Sequence, residues 1–163
     1  MKRNDAGLRR PTGSIPPYMP RKELVLYVED DDDNWEVAEL RLSNDFDLIR
    51  ASNDEEACRL LRERRGEIDM VLMDIELRGS QLNGVELTEL LRGNELRRRS
   101  AIPSYARDLP LLSKPVVYLT AHGAHYTNAE LRLSGADKVI SKPIDFVDLS
   151  LALSELSQER TAF

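Results

Sequence analysis

The sequence predicts an α/β fold, a doubly wound sheet of five parallel strands with helices on both faces. Two observations carry that prediction. Short apolar runs recur along the chain, mostly without alternating with polar residues, the pattern of strands buried on both faces. Between them lie segments with apolar residues at helical spacing, several opened by capping residues. Strands that alternate with helices imply parallel βαβ units, since a parallel neighbour needs a crossover.

The apolar runs are Leu24–Val28, Phe46–Ala51, Met70–Met73, Val116–Leu119 and Lys138–Ile140, rich in Val, Ile, Leu and Tyr. The first helix is marked by Val37 and Leu40, the second by Ala57, Leu60 and Leu61, and the third by Val85, Leu87, Leu90 and Leu91. Leu131 and Leu133 mark the fourth, and Phe146, Leu149, Leu151, Leu153 and Leu156 the fifth. Ser52 followed by Glu55 and Thr127 followed by Glu130 read as helix starts, and Asp145 offers another cap. Residues 93–114, GNELRRRSAIPSYARDLPLLSK, break the rhythm. The third helix is expected to extend through Arg99 and to be followed by an irregular crossing at Pro103 and Pro110, a tolerated surface insertion more readily than a contact loop.

Composition narrows the function. The 163 residues suffice for one domain, and 41% are hydrophobic, enough for a sizeable core. Twenty-nine acids oppose 23 Lys and Arg, a net charge of −6, so nucleic acid is not expected as a direct partner. One cysteine, Cys58, excludes an intrachain disulfide. Apolar runs such as Leu24–Val28 are far too short to span a membrane, and the charged start carries no secretory signal, so the location is expected to be cytoplasmic. Residues 1–22 hold six bases, one acid and four of the eight prolines, and are read as a mobile, basic tail. A basic arm that docks on an acidic partner is the sharper version of that reading.

The placement of polar residues is the functional clue. Ligands of an open parallel sheet bind beyond the carboxyl ends of its strands. There the first run is followed by Glu29 and Asp30, the third by Asp74, the fourth by Thr120 and the fifth by Lys142 and Pro143. Three crowded carboxylates repel unless a cation joins them, and an all-oxygen set suits a hard ion such as Mg²⁺. A carboxylate can take a phosphoryl group, a step that needs positioning and charge neutralisation more than proton transfer. Lys142 supplies a point charge and Thr120 a hydroxyl, so the set is consistent with phosphoryl transfer to Asp74. Asp31, Asp32 and Asp33 are read as a solvated loop that caps the first helix.

At these residues the sequence resembles the receiver domain of bacterial two-component response regulators. The matching stretches are LVLYVEDDDDN at 24–34, DMVLMDIEL at 69–77, PVVYLTA at 115–121 and GADKVISKPID at 135–145. The resemblance covers about 23–157 and implies a flavodoxin-like sheet of order 2-1-3-4-5. It implies that Asp74 is the phosphoacceptor, that Glu29 and Asp30 are the acidic pair with Asp30 and Asp74 binding Mg²⁺, and that the Glu76 carbonyl is a further ligand. Thr120 and Lys142 would contact the phosphoryl group, and the Lys142–Pro143 bond would be cis. The donor would be a sensor histidine kinase or a phosphotransfer protein. The downstream protein would dock on about 127–157, a face through which a homodimer could also form. Residues 158–163 are expected to be a short end with no output domain. The chain would then be a stand-alone signalling phosphoacceptor rather than an enzyme acting on an external substrate.

The sequence also departs from the family. Arg78 stands where proline is usual, and Gly84 arrives late. Val139 occupies the switch position usually held by Tyr or Phe, which leaves the loop after Thr120 to carry the output. Glu76 and His122 flank the expected phosphoryl site and are candidates to tune attack by water. Two alternatives accompany the main reading. A pseudo-receiver scaffold is kept open by Val139 and Arg78. A haloacid-dehalogenase-type phosphatase also uses a strand-end Asp with Mg²⁺, but it expects a second Asp where Glu76 stands.

Overall fold

The computed structural model describes residues 20–94, 101–121 and 125–161. Five parallel strands form one sheet of order β2-β1-β3-β4-β5. They are β1 (Glu23–Val28), β2 (Phe46–Ala51), β3 (Ile68–Asp74), β4 (Val116–Thr120) and β5 (Lys138–Ser141). The helices are α1 (Asp32–Leu42), α2 (Asp54–Glu63), α3 (Gly84–Leu91), α4 (Asn128–Leu133) and α5 (Phe146–Thr161).

Because side chains alternate across a strand, β1 feeds two core layers. Leu24, Leu26 and Val28 join residues of α2, α3 and α4, while Val25 and Tyr27 join Ala38 and Leu42 of α1 and Leu149, Leu153 and Leu156 of α5. The central strand β3 is buried at all seven positions, as a near-continuous apolar run requires. Its first half holds Asp69, a buried acid. Asp69 accepts two bonds from Arg21, at 2.9 and 3.0 Å, and one from the Leu24 N–H, while Arg160 donates to its carbonyl at 2.8 Å. Burial alone would raise the Asp69 pKa, but these donors outweigh it and hold the carboxyl below its usual value.

Several expectations need correction. Val37, Leu40, Leu133 and Leu151 face outward, from 46% to 76% exposed. In α1 the buried positions are instead Ala38 and Leu42. The start of α2 is capped by Asn53, not Ser52. The Asn53 side chain accepts the Glu56 N–H, while the Ser52 N–H and hydroxyl both go to the Glu56 carboxylate. Helix α3 ends at Leu91 instead of running to Arg99. Gly93 takes a left-handed φ of 73° and donates to the Leu90 carbonyl, and Asn94 donates to that of Glu89, the bond pair of a Schellman motif. The described part of the inserted segment is no surface appendage. It forms a 3-10 turn at Ser104–Ala106, buries Ala106 and Leu112, and ties Leu112 N–H to the Leu91 carbonyl at 2.8 Å. The basic run Arg97–Arg99 lies outside the described residues. The Thr127–Glu130 box is present in both directions, and Asp145 accepts the N–H groups of Val147 and Asp148.

Candidate functional site

Parallel strands end at one rim, and register decides which residues meet there. Val28 pairs with both Ala51 and Met73, Asp74 with Leu119, and Thr120 with Ser141. The residues that follow β1, β3, β4 and β5 therefore share one edge. A cavity of about 200 Å³ opens among them, lined by Glu29, Asp30, Asp31, Asn34, Asp74, Glu76, Arg78, Ala121 and Lys142.

Glu29, Asp30 and Asp74 can each offer a carboxylate oxygen within 4.8 Å of the others. Glu29 has no solvent exposure, yet its oxygens are satisfied. Tyr27 donates to Oε2 at 2.8 Å, Asp31 N–H donates to Oε1 at 3.0 Å, and Lys142 Nζ lies 3.7 Å from Oε2. Burial, then the Glu29 charge, raises the Tyr27 pKa, so this hydroxyl keeps its proton and stays a donor. Asp30 is half-buried, and its Oδ2 accepts the Arg78 N–H at 3.1 Å. Arg50 fixes the backbone between the two acids by donating to the carbonyls of Glu29 and Asp30, at 3.0 and 3.2 Å. Asp31 caps α1 through the Asn34 N–H, and the exposed Asp32 pairs with Arg50, which agrees with the capping role read for this acidic run.

Asp74 is 5% exposed. Its Oδ1 accepts the Glu76 N–H at 3.1 Å and its Oδ2 accepts Lys142 Nζ at 3.0 Å. Burial pushes its pKa up to about 6, with Lys142 pulling down and Glu29 pushing up. Burial pulls the Lys142 pKa down, but Asp74, Glu29 and Asp30 outweigh it and the net shift is upward, so the ammonium stays charged. Chemically the rim offers a desolvated carboxylate, a fixed cation beside it and a cluster of carboxylate oxygens of the kind a hard metal ion takes.

The other expected residues fall as follows. Thr120 ends β4, half-buried, with its hydroxyl donating to the Ala121 carbonyl at 3.2 Å, and Ala121 forms the adjoining cavity wall. Glu76 is exposed at the cavity mouth. The Lys142–Pro143 peptide is cis. Val139 is half-buried, opposite Tyr118 in the sheet, and packs on the α2–α4 core layer. His122 lies outside the described residues. Sequence reasoning passed over Tyr27 and Arg50, and noted Gly84 only for its late position. Tyr27 was findable, since it stands two before Glu29 on a strand and so on the same side. Gly84 has a steric reason: a Cβ there would sit 2.2 Å from the Asp74 carbonyl oxygen.

Comparison with known proteins agrees with this geometry. The family model for the response regulator receiver domain matches residues 25–154. The polar-differentiation response regulator DivK of Brucella anthropi is 31% identical over 127 residues, 77% of this chain and 87% of that protein. DivK of Brucella abortus is 30% identical over 121 residues, 74% of this chain and 84% of its own length. Two solved structures share the fold. The signal receiver domain of a putative LuxO repressor protein from Vibrio parahaemolyticus gives a TM-score of 0.67 at 17% identity, covering 87% of this chain and 95% of that one. A response regulator receiver domain from Clostridium thermocellum gives 0.68 at 20%, covering 86% and 98%. Among the described residues no helix is long and apolar enough to cross a membrane. With the match spanning the sheet and every strand-end residue of the rim, the chain belongs to the response regulator receiver domain family.

Proposed function

We propose that the chain is a single-domain response regulator that accepts a phosphoryl group on Asp74 and signals through the change this makes. The observation that carries the reading is the pairing of Lys142 Nζ with Asp74 Oδ2 at 3.0 Å, on a cavity where three carboxylates converge within 4.8 Å. Most of the chain serves this site, and we assign residues 23–157 to the domain.

In the step itself an Asp74 carboxylate oxygen attacks phosphorus and forms the acyl phosphate. The bond from phosphorus to the donor nitrogen of a phosphohistidine, or to the oxygen of a small acyl phosphate, breaks, and its electron pair leaves with the donor. The three carboxylates fit Mg²⁺: Asp30 and Asp74 would hold it with Glu29 beside them, and the Glu76 carbonyl would join them as the family resemblance implies. Bound Mg²⁺ supplies positive charge to the phosphoryl oxygens. Lys142 balances the added charge from the other side, and the Thr120 hydroxyl turns from Ala121 to donate to the phosphoryl group. Glu76, at the cavity mouth, is placed to influence water reaching the acyl phosphate.

The donor is a sensor histidine kinase or a phosphotransfer protein. The downstream protein docks on α4, β5 and α5, where Leu133, Val147 and Leu151 are 59–70% exposed. Incubation with acetyl phosphate and Mg²⁺ tests the reading. The intact protein should gain about 80 Da, and Asp74→Asn should not. No gain with acetyl phosphate or with kinase donors would leave a scaffold instead.

A further inference from the structure

A further buried carboxylate lies away from the rim. Asp54 opens α2 and is 2% exposed. Its Oδ2 accepts the Leu82 N–H at 3.0 Å and the Tyr105 hydroxyl, and its Oδ1 accepts the Glu55 N–H at 3.0 Å. Its own N–H donates to Ser80 Oγ at 3.0 Å. Three segments distant in sequence thus meet at one side chain: the start of α2, the loop 75–83 that follows Asp74, and the inserted segment 101–112.

The same loop is held at its other end by the rim. Glu76 N–H donates to Asp74 and Arg78 N–H to Asp30, while Gly84 N–H closes back on the Ile75 carbonyl at 2.9 Å. The loop is therefore strung between the acceptor carboxylate and Asp54. A buried carboxylate is expensive to leave short of donors, so Tyr105 and Leu82 are bound to follow it. Beyond Tyr105 the surface opens into a groove of about 550 Å³, lined also by Asn53, Glu55, Arg59 and Arg62. Arg62 further ties α2 to the segment by donating to the Arg107 carbonyl at 2.7 Å.

We propose that Asp54 and Tyr105 form a clamp that carries the state of Asp74 along loop 75–83 to segment 101–112, so that the groove between this segment and α2 is a second face that reports phosphorylation. This rests on Asp74 being the acceptor. Phosphorylating an Asp74 oxygen changes what the Glu76 N–H binds, and the loop that carries it is fastened to Tyr105 through Asp54. Tyr105 is a positioning residue. It touches no reacting atom.

Hydrogen exchange on the full chain, with and without acetyl phosphate and Mg²⁺, tests the clamp in wild type and Tyr105→Phe. In wild type, phosphorylation should change exchange in peptides 75–83 and 101–112 by about threefold or more. In Tyr105→Phe the response of 75–83 should persist and that of 101–112 should vanish. An equal response of 101–112 in both proteins, or none in phosphorylated wild type, overturns the proposal. A wild type that gains no mass refutes the acceptor reading and the relay with it. The clamp is then judged on unmodified protein, where Tyr105→Phe should speed exchange at 75–83 and an unchanged rate would refute the clamp as well.

Discussion

Asp74 sits where its own ionisation is costly. Folding raises its pKa to about 6, because burial outweighs the help from Lys142. A carboxyl shifted upward binds more protons folded than unfolded between roughly pH 4 and pH 6. Its contribution to stability is present below that window and is lost as pH rises through it. Asp74→Asn removes the ionisation and leaves Lys142 its contact with Glu29 at 3.7 Å. In chelator at pH 7.5 the variant should therefore melt above wild type, by up to about 3 kcal/mol. The gap should shrink to about 1 kcal/mol at pH 4.5 and close below pH 4, and equal gaps at pH 7.5 and pH 4.5 would contradict the shift. Residues of this kind were legible because Glu29, Asp30, Asp74 and Lys142 each follow an apolar run. Asp54 was not legible. It stands at the start of a helix among Asn53, Glu55 and Glu56, where acids are ordinary, and only the fold brings Tyr105 and Leu82 to it.

At the scale of elements, α3 shows what sequence patterns reveal and what they hide. Glu95, Leu96 and the arginines after them are good helix formers, so the third helix read as running on. The stop comes from Gly93 and from Leu112 N–H, which takes the Leu91 carbonyl from a distant segment that no local pattern records. The other end of α3 is fixed by contact. Alanine at 84 would gain up to about 1 kcal/mol of helix propensity. Its Cβ would also lie 2.2 Å from the Asp74 carbonyl oxygen and 2.8 Å from Met73 Cγ, and the first of these is backbone that cannot swing aside. The clash wins. Gly84→Ala should lose about 2–3 kcal/mol in denaturant melts, and its phosphorylation by acetyl phosphate should slow because Asp74 is displaced. Exposed apolar residues such as Leu40 and Leu133 misled for a similar reason. Helical spacing marks a stripe, while packing decides which side of it is buried.

For the whole molecule, the fold class, the five strands and the position of the rim followed from alternation of runs and helices. The strand order came from the family resemblance and agrees with the structure. The inserted segment escaped because its burial depends on surfaces of α2 and α3 that lie far off in sequence. The rim also bears on global stability. Three carboxylates whose oxygens lie within 4.8 Å repel in the absence of a cation. A ligand that binds only the folded state stabilises by mass action, about 1.4 kcal/mol at tenfold over its dissociation constant, or about 3–5 °C for a domain of this size. Millimolar Mg²⁺ should raise the melting temperature by that order in wild type and by much less in Asp30→Asn. Coincident melting curves with and without the ion would count against the cradle.

Asp69 gathers Arg21 from one end of the described chain and Arg160 from the other. Five residue steps of extended strand lie between it and Asp74, about 17 Å. Both ends of the domain are thus moored on the side of the sheet remote from the acid rim. A dye or tether attached at Pro20 or Thr161 would start from that far side and leave the approach of the proposed donor to Asp74 clear, which suits this chain to surface-immobilised binding measurements.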